Sequence, residues 1–222
     1  MSNFGLFRGI SNAIYPLDGN SNDVSGNANN GTDSNMSYGL GRFGDAGVFN
    51  GSTSRIALPN NAGLKPTVLT IIAWYKGTQA TSGTIFQNWN NTSSKYYGFF
   101  IGLDGHLVRM LVAKGTGITP VTDFNFQYSG SAVDDGKWHM IVGTWDGSYI
   151  KIYIDGNFET STAWSATVTY TATQYPMIGV RQDTSATYAE YISGSVDNIV
   201  LLPYVLSDQD IRRYYAWSKG ML

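Results

Sequence analysis

Apolar and polar residues alternate with a period of two along much of the second half of the chain. In the segment SYIKIYID, Ile150, Ile152 and Ile154 share one face, whereas Tyr149 and Tyr153 share the other. A side-chain period of two is that of a β-strand, and here one of its faces is apolar. The pattern therefore predicts a strand that packs one side against a core.

Three other segments are apolar at almost every position: VLTIIAWYKG, KWHMIVGTWDG and GSVDNIVLLPYVL. Such runs are typical of strands that are covered on both faces and lie in the middle of a sheet. Pro203 ends the last run because proline has no amide proton to donate to a neighbouring strand. Asp-Gly pairs at 104–105, 146–147 and 155–156, each flanked by apolar residues, predict tight hairpin turns. The fold class is therefore all-β.

Two regions depart from the strand pattern. The stretch Leu17–Gly47 is rich in Asn, Gly, Ser and Asp and is predicted to be an ordered loop. In LSDQDIRRYYAWSKG, Ser207 and Asp210 have the spacing of a capping box, and Gly220 suits a helix end. One short C-terminal helix is expected there.

Composition narrows the class of protein. The chain has 222 residues, 42% of them hydrophobic, which suffices for the core of a single β-domain. A formal net charge of -2 argues against nucleic-acid or anionic-membrane partners, and no cysteine is present for disulfides or thiolate chemistry. Neither a signal peptide nor a membrane-spanning segment is visible. The predicted organisation is an N-terminal arm at 1–13 followed by one domain at 14–222.

Five segments between about Ile14 and Tyr215 follow one another in a recognisable order: YPLDGNSNDVSGNANNGT, GRFGDAGVFNGSTSRIALP, LTIIAWYKG, DDGKWHMIVGTWDGSYIKIYIDGN and GSVDNIVLLPYVLSDQDI. In this order they resemble the laminin G-like domains of the concanavalin A-like lectin and glucanase superfamily, in the form found in bacterial and phage surface proteins. The resemblance implies a jelly-roll sandwich of two antiparallel sheets stacked about 10 Å apart, one convex and one concave. Because one fold hosts many activities, function needs separate evidence.

Catalysis finds no support in the residues. Glycoside hydrolysis needs two carboxylates, and glucanases of this superfamily carry them in a Glu-x-Asp-x-x-Glu strand. Here Glu159 and Glu190 are the only glutamates, and they lie in unrelated segments. His106 and His139 lack partners at the spacing of a catalytic triad or a zinc site, and His139 is expected to be hydrogen-bonded within a sheet. We expect no enzyme activity.

The N-terminal loop is rich in the oxygen donors that calcium prefers. An EF-hand is excluded because Asp23 and Asn29 stand where that loop needs Gly and Glu. The resemblance implies instead one structural calcium ion that ties this loop to the closing strand through Asp23 and Asp197. The alternative is that Asp23 caps a turn and Asp197 accepts hydrogen bonds from the loop backbone.

Sugar binding requires exposed aromatic rings for the apolar face of a pyranose, with amides and carboxylates for its hydroxyls. Trp74, Trp138 and Trp145 lie in apolar strands and are predicted to be core residues. The candidates for the ligand face are aromatic residues in polar surroundings: Trp89, Tyr96 and Tyr97 in the predicted loop QNWNNTSSKYYG, and Trp164, Tyr170, Tyr175 and Tyr188 in the later Thr/Ser-rich region. The resemblance adds Arg181, Gln182 and Asp183, where the family often faces its ligand. Packing on loops or on another subunit is the alternative for each aromatic residue.

The leading hypothesis is a non-catalytic, lectin-like module that binds a polysaccharide or glycan. Millimolar to micromolar affinity, raised by multivalent display, is expected of such a module. The alternative is a virion decoration or tail-associated subunit that uses the jelly roll to pack against copies of itself or other virion proteins. Both hypotheses place the chain outside the cell or on a virion surface.

Overall fold

Seventeen β-strands and one α-helix form the described part of this computed structural model, which comprises residues 7, 9–92, 95–115, 123–184 and 187–220. The strands are β1 Ala13–Tyr15, β2 Thr32–Ser34, β3 Ser37–Leu40, β4 Asp45–Asn50, β5 Arg55–Ala57, β6 Leu69–Lys76, β7 Gly83–Thr92, β8 Lys95–Asp104, β9 Leu107–Lys114, β10 Phe124–Ala132, β11 His139–Trp145, β12 Tyr149–Ile154, β13 Asn157–Ala163, β14 Met177–Ile178, β15 Arg181–Thr184, β16 Thr187–Ala189 and β17 Ser193–Leu202. The helix α1 spans Asp208–Lys219, and a 3-10 turn spans Ala62–Leu64.

The strands form two large antiparallel sheets. Sheet 1 has the order β13-β12-β11-β6-β17-β4-β3, with β1 also paired to β17. Sheet 2 has the order β10-β9-β8-β7-β14-β5-β2. The strands β15 and β16 form a separate hairpin. This arrangement confirms the predicted all-β sandwich with one C-terminal helix.

The main core lies between the two sheets. Ile150, Ile152 and Ile154 of β12 all face it, as their spacing of two predicts. Phe99 and Ile101 of β8 in sheet 2 belong to the same buried cluster. Each fully buried side chain of this size contributes about 1.5–3 kcal/mol to folding, so this layer is the main source of stability.

A second apolar cluster seals the outer face of sheet 1. Ile211 and Tyr214 of α1 pack there with Trp74 of β6, which is 1% exposed. The side chain of Ser207 accepts a hydrogen bond from the amide of Asp210, which confirms the predicted helix cap. No helix in the described residues is long and apolar enough to span a bilayer.

Two of the three tryptophans predicted to be core residues, Trp74 and Trp145, are buried. The predicted turns at Asp104-Gly105, Asp146-Gly147 and Asp155-Gly156 each join paired strands. Trp138 is instead half-buried at the margin of the outer cluster, because it precedes β11 rather than lying within it.

Two loop predictions are wrong where the chain forms strands, whereas 17–31 is a loop as predicted. The stretch Leu17–Gly47 contains β2, β3 and the start of β4, whose backbone pairing with β5 and β17 does not depend on large apolar side chains. The predicted loop QNWNNTSSKYYG forms strand where the structure describes it, because 87–92 lies in β7 and 95–98 lies in β8, paired from Gln87↔Phe100 to Thr92↔Lys95. Asn88 and Asn90 are buried there and donate to the backbone carbonyls of Leu64 and Thr173, which explains a polar sequence within a strand.

Candidate functional site

The outer face of sheet 2 carries an apolar patch that follows from strand alternation. On β8, Phe99 and Ile101 point into the main core, so Phe100 between them points outward. On β9, Val112 faces the core and Leu111 faces outward. The patch therefore lies on the side of sheet 2 that faces away from sheet 1.

Aromatic rings gather at the centre of this patch. Trp89 is 4% exposed, and its ring centroid lies 5.4 Å from Tyr96, 5.6 Å from Phe100 and 6.1 Å from Phe124. Phe126 continues the row on β10, 6.3 Å from Phe124, and is 41% exposed. The buried indole thus supports an outer rim of half-exposed and exposed rings.

Small residues let Trp89 and Phe124 meet across the sheet. Trp89 pairs with Gly98, Gly98 with Ala113, and Ala113 with Phe124, so the two aromatic residues are three strand spacings of about 4.8 Å apart in the backbone. Gly98 has no side chain and Ala113 only a methyl group. The two rings can therefore lean toward each other over these residues and form a continuous apolar surface.

A network of alternating charges borders the aromatic patch. The guanidinium of Arg109 lies 3.2 Å from Asp104 and 2.8 Å from Glu190, and it stacks 4.8 Å above the ring of Phe100. Arg181 contacts the other oxygen of Glu190 and lies 3.0 Å from Asp183. These side chains are between 14% and 33% exposed, so their ion pairs are shielded from solvent more than ordinary surface pairs.

The network is joined to the aromatic patch at one point. Asp183 accepts a hydrogen bond of 3.1 Å from the indole N–H of Trp89. At the opposite end, Asp104 accepts hydrogen bonds from Ser82 and Tyr128, and together with Arg109 they keep the pKa of Asp104 below its usual value despite partial burial. The orientation of the central tryptophan is therefore coupled to that of the charged side chains.

The hairpin β15–β16 places Arg181 and Asp183 of this network beside sheet 2, and Glu190 directly follows the hairpin. It is held on β7 by Gln87, whose side-chain amide donates to the carbonyls of Tyr175 and Gln182 at 2.6 and 3.4 Å. Glu190 follows β16 with a φ of +52°, and its carbonyl accepts the amide of Thr84 at 2.8 Å. This turn brings the carboxylate of Glu190 back over sheet 2.

Together these side chains surround an open cleft with a volume of about 320 Å³. It is lined by Trp89, Asn91, Tyr96, Phe100, Arg109, Leu111, Phe124, Phe126, Arg181 and Asp183. The lining offers flat apolar rings beside an amide, guanidinium groups and a carboxylate. Chemically, such a surface can bind a molecule with one apolar face and several hydroxyl groups.

The sequence and the fold both have known counterparts. A laminin G-type family model, described as the concanavalin A-like lectin/glucanases superfamily, matches residues 50–212. The chain belongs to the concanavalin A-like lectin/glucanase superfamily. This confirms the resemblance seen in the sequence motifs. No curated protein matches the chain in sequence.

Several solved structures share the superfamily fold. Domain 4 of AbnA, a GH43 extracellular arabinanase from Geobacillus stearothermophilus solved with arabinotriose, aligns with a TM-score of 0.68 and 19% identity, over 92% of this chain and 97% of that one. The binding domain of Paraclostridial Mosquitocidal Protein 1 aligns with a TM-score of 0.72 and 12% identity, over 93% and 52%. Botulinum neurotoxin type C, whose cell entry depends on two ganglioside molecules, gives 0.69 and 12%, over 93% and 50%. The chain thus spans about half the length of these toxin chains, and identities this low show the fold alone.

The structure brings four of the predicted ligand residues together. Trp89, Tyr96, Arg181 and Asp183 all line the cleft, whereas Gln182 is buried under the hairpin. Trp89 supports the other rings from beneath rather than exposing its own face.

The other aromatic residues predicted to bind the ligand lie away from the cleft. Tyr97 lies on the opposite face of β8, against Gly115. Trp164 packs on Trp145, and Tyr175 is half-buried, with its own backbone carbonyl accepting a hydrogen bond from the side-chain amide of Gln87. The remaining two have their own partners: Tyr170 donates to the carbonyl of Pro66 at 2.7 Å, and Tyr188 stacks under Arg55 at 4.7 Å.

Sequence reasoning missed most of the cleft lining. The overlooked residues are Asn91, Phe100, Arg109, Leu111, Phe124 and Phe126, together with Glu190 behind them. A signal existed in FNFQY, where Phe124, Phe126 and Tyr128 alternate and place three aromatic rings on one face.

The two aspartates proposed as calcium ligands are each surrounded by hydrogen-bond donors. Asp23 accepts from the amides of Ile14, Ser25 and Asn29 and from the hydroxyl of Ser25. These contacts cap the N-terminal loop as the alternative interpretation describes.

Asp197 is buried and accepts from the amides of Arg42 and Phe43 at 2.7 and 2.9 Å. Burial raises the pKa of Asp197 to about 7, although the two amides act in the opposite direction. Within the described residues, no three acidic, histidine or cysteine side chains come together as a metal site. Calcium also takes backbone and amide oxygens as ligands, so the ion stays a prediction.

Both ring nitrogens of His139 have a carboxylate as hydrogen-bond partner. Its Nδ1 lies 2.8 Å from Asp155 and its Nε2 lies 3.0 Å from Asp135, which confirms the expected structural hydrogen bonding. The hydrogen bond with Asp155, aided by Asp135, raises the pKa of His139 above its usual value. The positive charge of the imidazolium is therefore favoured in the folded state.

Proposed function

We propose that this chain is a non-catalytic glycan-binding module whose cleft on sheet 2 receives the sugar. The observation that carries the proposal is the convergence of exposed aromatic rings and hydrogen-bonding side chains on one open cleft of about 320 Å³. The complex of a similar fold supports it, since domain 4 of AbnA was solved with the neutral sugar arabinotriose.

The lining provides both kinds of contact that a sugar needs. The exposed ring of Phe126 and the half-exposed rings of Tyr96 and Phe124 can receive the C–H face of a pyranose or furanose. The amide of Asn91 and the carboxylate of Asp183 lie at the rim, where sugar hydroxyls can pair with them. A shallow, open cleft of this kind favours an extended polymer over a fully enclosed small molecule.

The state of the carboxylates supports binding rather than hydrolysis. A glycosidase needs one carboxyl as proton donor and a second as nucleophile or base. In this cleft the two oxygens of Glu190 face Arg109 and Arg181 separately. Asp183 is engaged by Arg181 and by the indole N–H of Trp89. Both carboxylates thus serve to position the cleft wall.

A pair of phenylalanines tests the proposal. Phe126 is 41% exposed in the cleft, whereas Phe158 is 47% exposed on β13 of the other sheet. On affinity gels that contain arabinan or galactan, Phe126→Ala should weaken binding about ten-fold, equivalent to about 1.4 kcal/mol for one lost ring contact. Phe158→Ala should leave binding unchanged. Equal retention of both variants, or retention of the wild type on no polysaccharide of a broad panel, would contradict the proposal.

Display on a cell or virion surface is part of the same proposal. Individual affinities in the millimolar to micromolar range become useful when several copies of a module meet a repeating polymer. Light scattering on the purified chain, alone and with the polymer that it binds, measures how many copies act together.

A further inference from the structure

We infer that the cleft selects uncharged glycans and rejects those that carry carboxylates, such as uronic acids or sialic acids. This inference rests on the proposed function and adds the class of ligand. It follows from how the two arginines beside the cleft are already used.

Both arginines are already paired with carboxylates of the protein itself. Recognition of a sugar carboxylate by protein usually relies on a guanidinium that offers two parallel N–H donors. Arg109 instead holds Asp104 on one side and Glu190 on the other, at 3.2 and 2.8 Å. Arg181 likewise is shared between Glu190 and Asp183. Each guanidinium therefore already faces two carboxylates.

The balance of charge points the same way. Arg109 and Arg181 are the cationic residues of the described lining, and Asp183 is its anionic one. Behind the lining, Asp104 and Glu190 bring the network to three carboxylates against two guanidiniums, so its net charge is negative. The positive charge that would attract an anionic sugar is therefore already offset by the protein's own carboxylates in a partly desolvated site.

Exchange of partners is also unfavourable. If a sugar carboxylate displaced Glu190 from Arg109, the glutamate would keep only its contact with Arg181 while 15% exposed. A carboxylate that loses one of its two partners in such a site is destabilised, because the charge cannot regain its water. Neutral hydroxyl groups require no exchange, since they can donate to the outer lone pairs of the same carboxylates.

The test compares polymers that differ in charge. Galactan and polygalacturonate serve as the neutral and the anionic probe in affinity gels, and lactose and sialyllactose serve as the soluble pair in calorimetry. The wild type should bind the neutral member of at least one pair and bind its anionic counterpart at least about ten-fold more weakly at low salt. Stronger binding to the anionic member would overturn the inference, and if that binding were lost in Phe126→Ala the proposed function would stand. Binding to neither member of either pair, nor to a wider neutral panel, would remove the proposed function and this inference together.

Substitution of Glu190 sharpens the test. Glu190→Gln keeps the shape, removes the excess negative charge and frees one face of each guanidinium, so the ratio of neutral to anionic affinity should fall about ten-fold. Glu159→Gln, the same change at the chain's other glutamate, alters net charge away from the cleft, where Glu159 binds Ser131. This control should keep the wild-type ratio. A ratio that falls equally in both variants would show a general charge effect and contradict the inference. If Glu190→Gln does not fold, the wild-type comparison still decides.

Discussion

Replacing Gly98 with alanine tests whether the close approach of β7 and β8 underlies the cleft. Gly98 has a φ of +83°, and a Cβ atom there would lie 1.8 Å from the carbonyl oxygen of Asn88 and 2.9 Å from Nε2 of Gln174. The carbonyl belongs to the backbone and also accepts a hydrogen bond of 3.1 Å from Gln174. No rotation of a side chain can relieve this contact, so the strands must move apart.

The expected loss of stability has three parts. An L-residue at positive φ costs about 1–2 kcal/mol, overpacking of a closed site adds about 1–3 kcal/mol, and the disturbed hydrogen bond adds about 1 kcal/mol. We therefore expect Gly98→Ala to lower the free energy of unfolding by about 4 kcal/mol, or the Tm by about 8–16 °C for a chain of this size. Because Gly98 pairs with Trp89, retention on polysaccharide should fall as well.

A second glycine separates the backbone effect from the contact. Gly105 has a φ of +62°, and no atom lies within 4 Å of the position that its Cβ would take. Gly105→Ala should therefore lose only the backbone part, about 1–2 kcal/mol, and should keep full retention on polysaccharide. Urea unfolding followed by tryptophan fluorescence gives both values. Equal losses in the two variants would refute the reasoning, since the close contact would then contribute nothing.

Three other predictions concern stability. Because the pKa of His139 is raised in the folded state, its imidazolium stabilises the fold fully below the unfolded pKa of about 6.5, and this contribution is lost as pH rises through the folded pKa. His139→Gln should therefore flatten the decline of the urea midpoint between pH 6 and pH 8.5. An unchanged decline would exclude His139 as its source. Ser207→Ala should cost about 1 kcal/mol through loss of the helix cap, with thermal melts as the measurement and Ser52→Ala, in a loop, as a control. If calcium joins Asp23 to Asp197, calcium at 100 times its Kd should add about 2.7 kcal/mol and EDTA should remove it, whereas a Tm unaffected by both would contradict the calcium prediction.

The architecture was predictable wherever the order of apolar and polar residues shows which faces of a strand are buried. The alternation in SYIKIYID located β12, and the uninterrupted apolar runs located β6, β11 and β17. The helix was predictable because Ser207 and Gly220 mark its two ends. The short strands β2 and β3 were not, because their side chains are mostly exposed and their pairing is made by backbone groups that every residue has.

The cleft was only partly predictable, for a different reason. Trp89 and Tyr96 were candidates because aromatic residues stand out in polar surroundings, although they lie on strands and not in a loop. The ion pair between Arg109 and Glu190 joins residues 81 positions apart, and nothing local in the sequence announces it. Phe124 and Phe126 alternate visibly in the sequence. Only the sheet order shows that β10 lies beside β9, so that the ring of Phe124 joins that of Phe100 on one face of sheet 2.

The two outer faces of the sandwich explain why one of them is suited to a ligand. On sheet 1 the aromatic residue Trp74 is covered by α1 and is 1% exposed, so substitution there should change stability alone. On sheet 2 a comparable aromatic patch is covered only along one side, by a hairpin that brings Arg181 and Asp183 rather than apolar residues. An apolar patch left open to water carries a risk of aggregation, which a charged border reduces while leaving the rings accessible. Changes in that border should therefore alter which ligand binds before they alter whether the chain folds.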